Sequence, residues 1–289
     1  MLSLTIKKEA AKWQLSCSGN GLMLSKWTPR QQEPQREIID PSMTQLTSGC
    51  LTKDGSLYLC GTAQGQNILV LHQKNQWHRY LLSGPAPGYF PLLRSPLLCR
   101  ATQEGQLMLQ DASQPKDEGV MLSPQKVTEF HCCAVGNTLY VCHKDTTGLL
   151  SYTSCPLSHP KEQETIPLYT GQQISQLQCA AQGDQLALLF QQQGSFFLIL
   201  LHPSQKGSAR MFDMGRLISP LLLKQNGRLS LCYIHQEEAY QRELTQGIHV
   251  ARRLSEQGCL YFDGQEEGCY PMGLRQDYQV PLGPPYFWA

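Results

Sequence analysis

Short stretches in which apolar and polar residues alternate recur along the whole chain, and each is bounded by Gly, Asn, Asp or Pro. Alternation with a period of two predicts half-buried β-strands, whereas few windows show the i, i+3, i+4, i+7 spacing of a helix. A common plan, an apolar strand, a turn with Gly and a second strand that opens on Leu, is shared by residues 48–60, 97–110, 131–142, 177–190 and 220–232. The sequence therefore predicts an all-β chain built from repeated hairpins.

The turn residues of these hairpins predict how the strands pair. Residues 54–55 (Asp-Gly) and 226–227 (Asn-Gly) suit two-residue type I′ turns, whereas 136–137 (Gly-Asn) and 183–184 (Gly-Asp) suit type II′ turns. In both kinds the Leu emerges two residues after the turn. The anchor Leu residues should therefore share one register and one face of their sheets.

The anchor Leu residues recur at a regular distance. With two looser units included, they are Leu22, Leu57, Leu107, Leu139, Leu186, Leu229 and Leu260, and their mean spacing is close to 40 residues. A repeat of that length has room for four short strands and is typical of a β-propeller blade. The spacing predicts a propeller of about seven four-stranded blades, with six as the alternative.

On these repeats the chain resembles the β-propellers of WD-repeat and kelch proteins, over nearly its full length and in architecture only. No recurrent Gly-His and Trp-Asp pair and no kelch double glycine is present, so no family lends its functional residues. The resemblance implies a single domain over residues 1–289 with a Pro-rich aromatic tail at 281–289. Propellers commonly close with a strand from the opposite terminus, so residues 2–6 are expected to pair with the C-terminal blade.

Composition excludes several partners. The formal net charge is +1 and charged residues make up 16%, so no long-range field attracts nucleic acid or an anionic membrane. No apolar run approaches the roughly 20 residues that a membrane-spanning helix needs. The first residues also lack the charge order of a secretory signal, so the expected location is cytoplasmic.

Residues 130–145 raise the question of a metal or redox site, because His131, Cys132, Cys133, Cys142 and His143 lie together there. The predicted hairpin sets His131 opposite Cys142. Alternation then places His131, Cys133 and Cys142 on one face, and the other two on the opposite face. Those three residues are the candidate metal ligands.

A comparison of the repeats favours packing instead. The same register puts Cys50, Cys132 and Cys179 at one position, which Leu222 fills in another unit, and it sets Cys50 opposite Leu59. Free cysteine behaves as a small buried hydrophobe. We therefore expect reduced, buried thiols, with no bound metal and no cofactor.

No P-loop, nucleophile elbow or H-E-x-x-H motif is present. The sequence therefore predicts a non-catalytic module that binds an unidentified protein partner or serves as a scaffold. The alternative is a propeller hydrolase or lyase, whose residues would come one per blade to the channel mouth. The aromatic residues Tyr286, Phe287 and Trp288 of the tail would either dock on the partner or fold back on the propeller.

The packing interpretation predicts small effects of substitution. Changing Cys50, Cys132 or Cys179 to Val should lower the free energy of unfolding by no more than about 1.5 kcal/mol, as for other volume-conserving core changes. Urea denaturation measures this change. Stoichiometric zinc in the purified protein, lost when Cys133 is replaced, would contradict the interpretation.

Overall fold

A computed structural model shows an all-β chain arranged as a β-propeller. It describes residues 3–8, 11–28, 33–84, 86, 88–92, 95–114, 119–225, 227–244, 251–255, 260–263, 268–275 and 278–281. For the last three of these ranges it describes the backbone alone. Among the described residues, no helix is long and apolar enough to cross a membrane.

Four blades are antiparallel four-stranded meanders, in which each strand pairs with the next along the chain. Blade 2 comprises β5 (Met43–Leu51), β6 (Leu57–Ala63), β7 (Gln66–Gln73) and β8 (Gln76–Leu82). Blade 4 comprises β12 (Val127–Val135), β13 (Thr138–Asp145), β14 (Leu149–Pro156) and β15 (Glu164–Thr170). Blade 5 comprises β16 (Ser175–Gln182), β17 (Gln185–Gln192), β18 (Ser195–Leu201) and β19 (Arg210–Gly215). Blade 6 comprises β20 (Ile218–Gln225), β21 (Arg228–His235), β22 (Glu238–Glu243) and β23 (Arg252–Ser255).

The two remaining sheets are less regular. Blade 3 has three strands, β9 (Leu97–Ala101), β10 (Leu107–Asp111) and β11 (Val120–Ser123), and a bridge from Tyr89 to Cys99 adds the preceding segment to it. Blade 1 begins with β1 (Ser3–Lys8), β2 (Ala11–Ser18), β3 (Gly21–Trp27) and β4 (Gln35–Asp40). Its sheet continues from β1 into β24 (Leu260–Asp263), β25 (Gly268–Arg275) and β26 (Tyr278–Pro281).

The blade count is six in the part of the chain that the structure describes, so the expectation of seven was wrong and the alternative of six is correct. The unit anchored on Leu260 does form strands. They make no separate sheet, however, because β24 pairs with β1 and thereby joins the sheet of blade 1.

The N-terminal strand has two partners. β1 pairs antiparallel with β2 over six residue pairs, from Ser3–Ser16 to Lys8–Ala11. It also pairs in parallel with β24, where Leu4 is opposite Phe262 and Thr5 is opposite Asp263. The strand therefore belongs to blade 1, and closure of the ring through its contact with β24 stays a prediction.

Most of the predicted hairpin registers are confirmed, and one is wrong. Residue pairs 135–138, 182–185 and 225–228 close two-residue turns as expected. In blade 2, Thr52 pairs with Ser56 instead, and the amide of Gly55 donates to the carbonyl of Thr52 at 3.0 Å. Gly55 has φ of +81°, so this is a three-residue loop of the kind that ends in a left-handed Gly. The extra loop residue shifts the pairing of blade 2 by one position.

The core lies between neighbouring blades. The anchor residues whose side chains are described are fully buried at 0% exposure: Leu22, Leu57, Leu107, Leu139, Leu186 and Leu229. Neighbouring inner strands also approach each other, since β12 contacts β16 and β16 contacts β20. Side chains of two neighbouring blades therefore meet at the inner strands and stabilise both blades.

The N-terminal strand offers a test of ring closure. Deleting residues 2–6 removes pairing partners from β2 and from β24 and takes the buried side chains of Leu4 and Ile6 out of the core. We expect the melting temperature, measured by circular dichroism, to fall by several degrees. An unchanged melting temperature would show that the pairing of β1 with β2 and β24 does not stabilise the fold.

Candidate functional site

The structure brings the three candidate ligands onto one face, as the sequence predicted. His131 is opposite Cys142 in the β12–β13 hairpin. Cys142 is fully buried, and the partly buried Cys133 packs against the same core between blades 4 and 5. Cys132 lies on the other face, in the core between blades 3 and 4.

A fourth residue, Cys179 on the inner strand of blade 5, completes this cluster. Its thiol lies beside those of Cys133 and Cys142 in the core between blades 4 and 5. Its Sγ lies 3.5 Å from Nδ1 of His131, and its backbone amide donates to the same nitrogen at 3.2 Å. The cluster therefore links the inner strands of blades 4 and 5.

In the absence of a metal ion the thiols of this cluster are protonated. Contact with Cys179 and burial raise the pKa of Cys133 well above its ordinary value, and burial does the same for Cys179. Protonated thiols are poor ligands and poor nucleophiles. Among the residues with described side chains, no group of three or more His, Cys, Asp or Glu has a geometry that could hold a metal.

His131 instead acts as a hydrogen-bond acceptor between blades. Burial lowers the pKa of its imidazole to about 4, so the ring is neutral at pH 7 and its Nδ1 can accept from the amide of Cys179. The ring also packs against Tyr89 of blade 3, with centroids 4.6 Å apart. His131 thus contacts both of its neighbouring blades.

Two other blades use the same position for the same purpose. In each of these blades the residue three positions after the anchor Leu has a cross-strand partner at an equivalent position. That partner is Ser48 in blade 2, His131 in blade 4, Gln178 in blade 5 and Leu221 in blade 6. The amide of Phe90 donates to the hydroxyl of Ser48 at 3.2 Å. We call Ser48, His131 and Gln178 the interblade acceptors.

Gln178 makes the most complete of these contacts. Its Oε1 accepts from the amide of Leu222 at 2.8 Å, while its Nε2 donates to the carbonyl of Pro220 at 2.8 Å. Leu221, at the same position in blade 6, has no polar group to offer. The series therefore spans the contacts from blade 2 to 3, from 4 to 5 and from 5 to 6.

The backbone geometry explains why an acceptor is needed there. In antiparallel strands, residue pairs that exchange backbone hydrogen bonds alternate with pairs that do not. In these two-residue hairpins, Cys179–Leu188 and Leu222–Leu231 are pairs that do not exchange them. The N–H groups of Cys179 and Leu222 therefore point away from their own hairpins. A buried donor without a partner is costly, and the side chain from the preceding blade provides the acceptor.

The same region holds a charged pair with a similar role. Glu129 accepts from the amide of Leu177 at 2.7 Å, and the ammonium of Lys144 donates to the carbonyl of Ile174 at 2.5 Å. The two side chains lie 4.0 Å apart, and burial raises the pKa of the Glu129 carboxyl. Both groups bind the backbone of blade 5.

The structure corrects the expected equivalence of three cysteines. Because of the longer loop in blade 2, Cys50 is opposite Tyr58 rather than Leu59, and Gly49 takes the position of Cys132 and Cys179. All three cysteines are nevertheless buried, and they belong to three separate core clusters. The ten cysteines with described side chains are free thiols.

Sequence reasoning missed one residue of the cluster, and one predicted set of site residues is not tested by the structure. Cys179 was missed as a member of the cluster because it belongs to another repeat, although its place at the same register as Cys132 was a usable signal. Tyr286, Phe287 and Trp288 lie outside the described residues.

Comparison with known proteins supports the fold and goes no further. No protein-family model and no curated protein matches the chain. It is similar to the β-propeller domain of Myceliophteria thermophila Cps50 (Swd1), with 13% identity, 91% of this chain and 90% of that one covered, and a TM-score of 0.54. The WD40 domain of SCAP from fission yeast is similar at 9% identity, with 80% and 70% covered and a TM-score of 0.50. BBS1N, crystallised in complex with ARL6DN, is similar at 8% identity, with 94% and 86% covered and a TM-score of 0.55.

His131 and its counterpart Gln178 allow a matched test. His131→Gln keeps an acceptor for the amide of Cys179 and should leave the free energy of unfolding nearly unchanged. His131→Leu, which copies blade 6, leaves that amide without a partner and should cost about 1–3 kcal/mol. Urea denaturation measures both, and equal stability of the two variants would refute the role of the acceptor.

A second histidine predicts a pH dependence. His143 is 1% exposed, its Nε2 lies 3.1 Å from Oγ1 of Thr153, and burial lowers its pKa to about 4, although Asp145 opposes the shift. Between about pH 6.5 and 4 the unfolded chain takes up a proton that the folded chain does not, so stability should fall as the pH is lowered, by at most about 3 kcal/mol from this group. Urea denaturation at several pH values should show a smaller fall for His143→Gln. An identical fall in both proteins would contradict the assignment.

Proposed function

We propose that the chain is a non-catalytic β-propeller that acts as a protein-interaction or scaffold module for an unidentified protein partner. The observation that carries this proposal is the engagement of Ser48, His131 and Gln178 on the backbone of neighbouring blades. Groups held in that way stabilise a rigid body rather than act on a substrate. A rigid body with a broad rim is suited to binding.

The similar structures agree with this proposal without identifying a partner. BBS1N was crystallised in complex with ARL6DN, which is an example of a similar fold that binds a protein. Fold alone does not imply function, so the resemblance gives only the class of activity. The cytoplasmic location and the lack of nucleic-acid binding belong to the same proposal.

The alternative is a propeller hydrolase or lyase with its site at the mouth of the central channel. Such a site needs several carboxylates or imidazoles directed at one point. Glu129 and His131 lie on the same face of β12, but both accept backbone amides of blade 5. We therefore favour binding over catalysis.

The aromatic tail is part of the proposal. Pro284 and Pro285 precede Tyr286, Phe287 and Trp288, and three adjacent aromatic rings are an association liability if they are left in water. We propose that they fold back on the propeller, while contact with the partner is the competing outcome. Truncation after Leu282 separates the two, because loss of a tail that folds back lowers the stability of the chain, whereas loss of a tail that contacts the partner lowers only partner binding.

The function is tested by affinity capture of the tagged full chain from its native cells, with cross-linking and mass spectrometry. We expect a protein retained in stoichiometric amount. The purified chain should show no turnover of ester, lactone or glycoside substrates. Turnover that His131→Gln abolishes without loss of stability, together with no retained protein, would support the enzyme alternative instead.

A further inference from the structure

The outer strand of blade 2, β8, is an unusually regular sheet edge. It pairs with β7 over seven consecutive residues, from Gln73–Gln76 to Asn67–Leu82, without a register shift. In the part of the chain that the structure describes, β8 pairs on one side only. Its other side is therefore a continuous row of backbone groups.

The outer strands of the other sheets do not offer such an edge. The pairings that contain β4, β11, β15, β19 and β23 each include a register shift. The short strand β26 has four residues and ends at Pro281. Bulges, proline and short length are the usual protections of an exposed edge, and β8 has none of them.

The turn before β8 determines which of its backbone groups point outward. Lys74 and Asn75 have φ of 50° and 60°, as a two-residue type I′ turn requires. Gln73–Gln76 is then a bonded pair, and bonded pairs alternate with non-bonded ones. The N–H and C=O groups of Trp77, Arg79 and Leu81 therefore point away from β7.

The side chains and charges of this edge indicate what would bind there. Leu81 is 62% exposed and Tyr80 is 47% exposed, one on each face of the strand. The β7–β8 hairpin, residues 66–82, contains Lys74 and Arg79 and no Asp or Glu. Arg79 bonds Asp40 of blade 1 at 2.9 Å, but its side chain remains 45% exposed.

We propose that the β8 edge binds an extended, acidic segment of a partner protein that adds to blade 2 as a fifth strand. The backbone of the segment pairs with Trp77, Arg79 and Leu81, and its apolar side chains cover Tyr80 and Leu81. Its carboxylates lie near Lys74 and Arg79. This inference rests on the proposed function, because it assigns a site to the partner.

A second copy of the chain fits this edge less well than a peptide. Seven residues extend about 23 Å, and two rims that meet along one strand bury well under the roughly 1,200 Å² of a stable dimer. An extended peptide needs only the strip itself. The absence of carboxylates from the β7–β8 hairpin, residues 66–82, also favours an acidic peptide over a copy of β8.

Three variants at one exposed position test the proposal. Leu81→Pro removes an outward N–H that has no partner in β7, Leu81→Glu repels an acidic segment, and Leu81→Lys is the matched control of opposite charge. Circular dichroism verifies that each variant folds. If Leu81→Pro fails to fold, the Glu and Lys pair still decides the outcome.

The probe is a phage-displayed library of random twelve-residue peptides panned on the wild-type chain. We expect enriched peptides that are acidic and alternate apolar residues. A synthetic copy should bind Leu81→Glu and Leu81→Pro at least about tenfold more weakly than wild type, as for the loss of one backbone hydrogen bond or ion pair. Leu81→Lys and Leu81→Glu both lose the apolar contact of Leu81, so the peptide should bind the Lys variant more tightly than the Glu variant. It should also slow amide exchange at Trp77, Arg79 and Leu81.

The proposal is overturned if no peptide is enriched, or if enriched peptides bind all four proteins equally. Its failure differs from failure of the proposed function. A partner that is captured equally by wild type and Leu81→Glu leaves the interaction module in place and removes only the β8 site.

Discussion

The outward N–H groups of the inner strands are the constraint on which the rest of this propeller depends. In blades 2, 4, 5 and 6 the inner strand pairs on one side only, so the outward N–H group of every second residue needs an acceptor from elsewhere. In three blades a side chain at one register position provides it, as His131 does for Cys179 and Gln178 does for Leu222. The fold is thus held together by polar contacts between blades as well as by the buried anchor Leu residues.

This constraint also explains the cluster that looked like a metal site. Cys133, Cys142 and Cys179 fill the apolar space beside the acceptor, and their raised pKa values keep them as thiols. His131 is neutral because burial lowers its pKa, which is also what allows it to accept. Each residue type suits packing and hydrogen bonding between blades, so this part of the interior gives rigidity.

The sequence was informative wherever local chemistry decided the structure. Turns such as 136–137 and 183–184 determined their registers, and the anchor Leu residues identified the buried face. It failed at Asp54-Gly55, because the same dipeptide fits a two-residue and a three-residue loop and the rest of the sheet selects between them. The contact of His131 with Cys179 and the merging of β24 with the first sheet depend on how blades are placed in space, which a repeat pattern does not specify.

Native-state hydrogen exchange at the amides of Cys179 and Leu222 tests the central claim most directly. Neither amide bonds to its own hairpin, so their protection reports the contacts from His131 and Gln178 alone. We predict that both exchange slowly in the wild-type chain, and that His131→Leu speeds exchange at Cys179 while Leu222 stays protected. Rapid exchange of both amides in the wild-type protein would contradict the account.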